Sequence, residues 1–154
     1  MARTGRSYLL AALLALPLTS AALAQEGAWE QACAKSDFET VVDQTAAALR
    51  DLTSKNKPAF QEKLRLLKDK RGWSQDQFMK EATPFVRDEK IAVYDRDSER
   101  LLDDISSLGQ EGAEAKTPDC ALLNSLRAQM NELVEKQNAK WSYMFQKLDT
   151  ALAK

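Results

Sequence analysis

The sequence predicts an all-α protein: a small antiparallel helical bundle of about four main helices plus one short one, with one disulfide clamping the starts of the first and last helices. Three observations predict it. From Phe38 to Leu152 the apolar residues recur at steps of three and four, the period of one face of a helix, and no alternating strand pattern interrupts them. The 154 residues include only 5 glycines and 4 prolines, too few for a turn-rich all-β chain. The 2 cysteines, Cys33 and Cys120, stand beside the starts of the first and last periodic segments.

The first segment is a targeting signal rather than part of the bundle. Arg3 and Arg6 precede the apolar run Tyr8 to Leu18, and small residues lead to Ala22-Leu23-Ala24. That is the layout of a secretory signal peptide cut after Ala24. The run is shorter than the ~20 apolar residues a spanning helix needs. No cysteine follows the cut closely enough for a lipid anchor, since Cys33 comes after "WEQA". The expected product, residues 25–154, suits one domain, exported to the periplasm with no transmembrane segment. In an oxidising compartment an isolated cysteine pair is most simply one disulfide. Neither cysteine lies in C-x-x-C, and there is no histidine to complete a zinc or redox site.

The elements follow in order. Ser36 and Glu39 match a capping box, and Phe38, Val41, Val42, Thr45, Leu49 and Leu52 then form one face. Pro58, allowed in a first turn, opens a second helix that buries Phe60, Leu64 and Leu67 and stops at Gly72. Ser74 and Gln77 form a second capping box, with Trp73 placed to staple onto Phe78. From Pro84 a long helix runs to Leu108, its core face made by Ile91, Tyr94, Ser98, Leu101, Leu102 and Ile105. "GQEGAEAK", Gly109 to Lys116, reads as a loop. Thr117-Pro118 restarts the chain as the last helix, with Leu122, Leu126, Met130, Leu133, Trp141, Phe145 (or Met144), Leu148 and Leu152 on its seam and polar Gln137 among them.

Composition excludes much chemistry. Without histidine there is no Ser-His-Asp or Cys-His arrangement and no c-type haem motif, and the glycines form no phosphate loop. Acid-only catalysis needs two carboxylates facing one cleft, and no pair stands out, so no catalytic residue or cofactor is expected. Losing Arg3 and Arg6 takes the net charge from −1 to −3, which argues against nucleic acid, whose binding rests on many phosphate contacts.

Two charged stretches remain as candidate surfaces. "VYDRDSERLLDD", Val93 to Asp104, holds five carboxylates and two arginines. At 100° per residue Asp88, Asp95, Glu99 and Asp103 form an acidic ribbon beside the core face, a candidate docking edge or weak cation site. An EF-hand does not fit, because its glycine position is Arg100 and its last ligand position Ser106. Arg96 with Glu99 and Arg100 with Asp103 are spaced for weak pairs. Lys55 to Arg71 carries a net charge of +5, with Lys63, Arg65, Lys68, Lys70 and Arg71 as a candidate basic surface. The plain reading of the ribbon is a solvated face whose arginines offset its acids; the candidate mates, if it docks, are the basic stretch of the same chain or of a second copy. Of the tryptophans, Trp73 and Trp141 have packing positions and Trp29 has none. The expected function is therefore binding rather than catalysis: a periplasmic adaptor or chaperone-like accessory protein meeting a protein partner through charged helix faces. The alternatives are a bundle binding a divalent cation or small ligand, and a binder of anionic envelope lipid or glycan.

Overall fold

A computed structural model of the chain describes residues 33–154; the expected leader, the expected cut after Ala24 and Trp29 lie outside them. The helices are α1 (Lys35–Arg71), α2 (Gln75–Glu81), α3 (Thr83–Val86), α4 (Glu89–Glu114) and α5 (Cys120–Ala153). Among the described residues there is no strand, and no helix is long and apolar enough to cross a membrane.

The fold class is the expected one, while several boundaries differ for physical reasons. The break expected between Leu52 and Pro58 does not occur, and α1 runs unbroken for 37 residues with Pro58 inside it. Proline removes one helical donor, but Ser54, whose carbonyl loses that partner, is exposed to water. The helix is held in one piece because Val41 and the Phe60, Leu64 and Leu67 group each bury beside residues of α5. Its N-cap is Ala34 rather than Ser36: the Asp37 carboxylate accepts from the Ala34 N–H at 2.8 Å. Gly72 ends it in the left-handed conformation, φ 63°. There the Trp73 N–H reaches back to the Lys68 carbonyl, as glycine-terminated helices commonly do. The Ser74 and Gln77 box forms as read, with both reciprocal bonds present. α4 begins at Glu89 rather than Pro84, because Asp88 supplies a stronger cap, and Pro84 stays in the single turn of α3.

Fusing the first two expected helices leaves three long ones, which sets their directions. The disulfide holds the starts of α1 and α5 together, with Cα atoms 5.5 Å apart. At the other end Arg71 donates to the Ala151 carbonyl at 3.2 Å. α1 and α5 therefore run parallel, and α4 returns antiparallel, its Asp88 beside Tyr143 and its Gly112 beside Phe38 and Leu122. Two parallel helix dipoles bring two negative ends together. Lys70 and Arg71 answer this by donating to the last carbonyls of α5, Leu152 and Ala151.

α5 is the shared floor. α1 and α4 each pack extensively on it and touch each other only sparsely. One core cluster gathers Phe60, Leu64, Leu67, Ile91, Met144 and Leu148, with Trp73, Phe78 and Trp141 packed around it. A smaller one at the disulfide end gathers Val41, Leu123, Leu126 and Met130 beside Phe38, Ile105 and Leu108. Between them, residues 42–59 of α1 include no buried side chain.

The segment expected as a loop continues α4 through Gly109 and Gly112 to Glu114. A Cβ at Gly112 would sit 2.8 Å from Phe38 Cε1, so glycine lets α4 approach that ring; a Cβ at Gly109 would meet nothing within 4 Å. Gly109→Ala is therefore expected to stabilise the protein by ~0.5–1 kcal/mol through helix propensity. Gly112→Ala should fall at least about 1 kcal/mol below it, because the ring must shift. Urea titration of the two variants separates them, and equal midpoints would show that Phe38 does not seat on α4.

Candidate functional site

The charged stretch of α4 and its cap turn three of their acids, Asp88, Asp95 and Asp97, onto α5. Asp88 caps α4 through Oδ1, which accepts from the Ile91 N–H at 2.8 Å. Its Oδ2 accepts from the Tyr143 hydroxyl at 2.9 Å and from Lys147, whose ammonium also reaches the Pro84 carbonyl. The Lys147 ammonium, with the Ile91 N–H behind it, holds the Asp88 carboxyl down at about 2. The Tyr143 phenol is in turn raised above its ordinary value by the hydrogen bond it donates to Asp88. Lys90 stands 4.3 Å from the centre of the Tyr143 ring.

One heptad along each helix, Asp95 meets Lys140. Asp97 meets Lys136 at 2.9 Å, a bond that lowers the Asp97 carboxyl and raises the Lys136 ammonium. Between these pairs the buried Ser98 hydroxyl donates to the Tyr94 carbonyl and accepts from Gln137, both at 2.8 Å. Gln137 is polar on the apolar seam because Ser98 faces it. Lys136, Lys140, Tyr143 and Lys147 were not singled out from the sequence. Their signal was there in reversed order, since Lys147 and Lys140 repeat the seven-residue spacing of Asp88 and Asp95.

The four acids of the predicted ribbon thus separate. Asp88 and Asp95 join α4 to α5, while Glu99 and Asp103 remain exposed without an ion pair among the described residues. Neither expected arginine pair, Arg96 with Glu99 or Arg100 with Asp103, closes. The ribbon's mate is inside the chain but on α5, not in the basic stretch of α1. Among the described residues no group of three or more His, Cys, Asp or Glu side chains is placed to hold a metal ion.

The basic surface is also largely engaged within the molecule. Lys63 pairs with Asp149 across to α5, and Arg65 with Glu62 at 2.8 Å. Lys68 donates to Gln75 at 3.0 Å and lies near the Phe78 ring, and Lys70 and Arg71 cap α5.

One of the open grooves, of about 600 Å³, lies between the start of α1 and the end of α4. Its apolar lining is Phe38, Val42 and Leu126, with the bare backbone of Gly109 and Gly112 opposite and Lys35, Glu39 and Asp43 on the α1 lip. Val42, expected in the core, is 43% exposed there. Leu102 is likewise 52% exposed; seven residues before Gly109, it lies on the same face of α4 and extends the apolar strip. The glycines read from the sequence as loop residues are the opening in the wall. No known protein family matches the sequence, no curated protein is significantly similar to it, and no solved structure matches it.

Proposed function

We propose that the chain is exported, cut after Ala24, and works outside the cytoplasm as a non-enzymatic accessory protein that docks a protein partner. The observation that carries this reading is the groove at the disulfide end. It exposes apolar side chains in a cleft, which a soluble chain rarely leaves open without a binding role. Asp88, Asp95 and Asp97 beside α5 and most cations in the second half of α1 are already engaged inside the fold, which favours the groove over those faces as the docking surface. The leader layout and the Cys33–Cys120 bond both fit an oxidising compartment.

In cells that express the full-length chain, a benzophenone side chain placed at position 42 is expected to form an adduct with one recurrent protein. The same group at position 66, an equally exposed leucine outside the groove, is expected to form none. The recovered protein should begin at Gln25. Equal labelling at both positions would remove the groove as the docking site.

A further inference from the structure

The walls of the groove state what chemistry it accepts. On α1, Glu39 and Asp43 follow Lys35 at steps of four and share its lip, and neither carboxylate has an ion-pair partner among the described residues. Glu99, also without an ion pair, stands on α4 beyond Leu102. The floor is apolar and the opposite wall, at Gly109, Gly112 and Ala113, is uncharged and nearly free of side chains. α1 and α4 touch each other only sparsely over α5, and an amphipathic helix can lay its apolar face on the groove left open between their exposed residues.

We propose that this groove binds a cationic amphipathic helix of a partner protein, with its apolar stripe on the half-buried Phe38 and the exposed Val42 and Leu102, and its basic residues opposite Glu39 and Asp43. The proposal rests on the docking reading above and adds the chemistry of the partner. The chain's own segment between Ala24 and Cys33 is the wrong occupant, because its only charges are Glu26 and Glu30. A second copy is a weaker match: of the seven cations of its basic stretch, Lys63, Arg65, Lys68, Lys70 and Arg71 already have intramolecular partners, which leaves Lys55 and Lys57.

The test is fluorescence anisotropy of a labelled amphipathic helix of about 18 residues made of leucine and lysine, a length that gives about five turns, titrated with the exported protein. Saturable binding is expected, with affinity reduced ~10-fold in the Glu39→Gln/Asp43→Asn double variant. It should be lost in Gly109→Phe, whose ring enters the groove where there is room for it. A leucine and glutamate helix of the same pattern should not bind. Thermal melts of both variants establish that the fold is intact. Equal binding of the glutamate helix, unchanged binding by Gly109→Phe, or no saturable binding would each overturn the proposal. A dimer that Gly109→Phe dissociates would overturn it too, by making a second copy the occupant. A partner captured at position 42 while the lysine helix fails would refute the cationic chemistry and leave the docking reading standing. Failure of both would refute both.

Discussion

Removing the Cys33–Cys120 bond, by reduction or as the Cys33→Ser/Cys120→Ser variant, is expected to lower the free energy of unfolding by roughly 4–5 kcal/mol on the chain-entropy model. The bond closes a loop of sequence separation 87, and such a loss is a large part of the ~5–15 kcal/mol that holds a domain together. The damage should concentrate at one end. The cluster there is small, with Val41 the sole buried residue of α1 before Phe60. Without the clamp, the first half of α1 has little to keep it parallel to α5. Denaturant titration with and without reductant measures the total, and hydrogen exchange locates it. Amides of residues 35–45 should lose protection well before those of residues 60–71. A drop below about 1 kcal/mol would show that packing alone holds the two helix starts together, since loop closure would then contribute far less than the entropy model requires.

The second large effect belongs to Asp88. Asp88→Ala removes the cap of α4, worth ~1 kcal/mol, and leaves Tyr143 and Lys147 without their acceptor, for a total of roughly 2 kcal/mol. Asp88→Asn keeps a competent cap and isolates the charge, so it should cost less. The pH dependence carries the sign. The folded carboxyl titrates at about 2 against 3.8 for the ordinary group. Between those values the unfolded chain binds more protons, so this stabilisation is complete above about pH 4 and is lost as pH falls towards 2. Asp97, lowered by Lys136, acts in the same direction. Urea midpoints measured from pH 5 to pH 2 should therefore fall with acid in the wild type and fall less steeply in Asp88→Asn. Parallel curves would mean that the Lys147 bond does not form in solution.

The parts of the fold that were legible from sequence are those written locally. The Ser74 cap, the Gly72 stop and the 3.6-residue period of α5 depend on neighbours within a turn or two, and all appear as read. The disulfide was legible by elimination, since two cysteines in a histidine-free chain with the layout of an export leader leave little else. Boundaries failed where tertiary packing overrides local cost. Pro58 and the pair Gly109 and Gly112 are poor helix residues, and each lies inside a helix because the flanking turns bury side chains on α5 or, at Gly112, because Phe38 needs the space. The ribbon was misjudged for a different reason. Its position on α4 was right, but its partners lie 45 residues away for Asp95 and 59 for Asp88, and no local rule pairs residues at that distance. Val42 and Leu102 have the period of core residues and stay exposed because α1 and α4 touch each other only sparsely, a fact of assembly rather than of either helix.

Hydrogen exchange of residues 25–154, with and without the saturating leucine and lysine helix, separates the groove from the charged faces. Protection should rise in residues 35–43, 102–113 and around Leu126, and stay unchanged along the Asp88 to Asp97 seam and the Lys63 to Arg71 stretch. Protection appearing on that seam or stretch, with the groove unchanged, would contradict docking at the groove and return the charged helix faces as the binding surface.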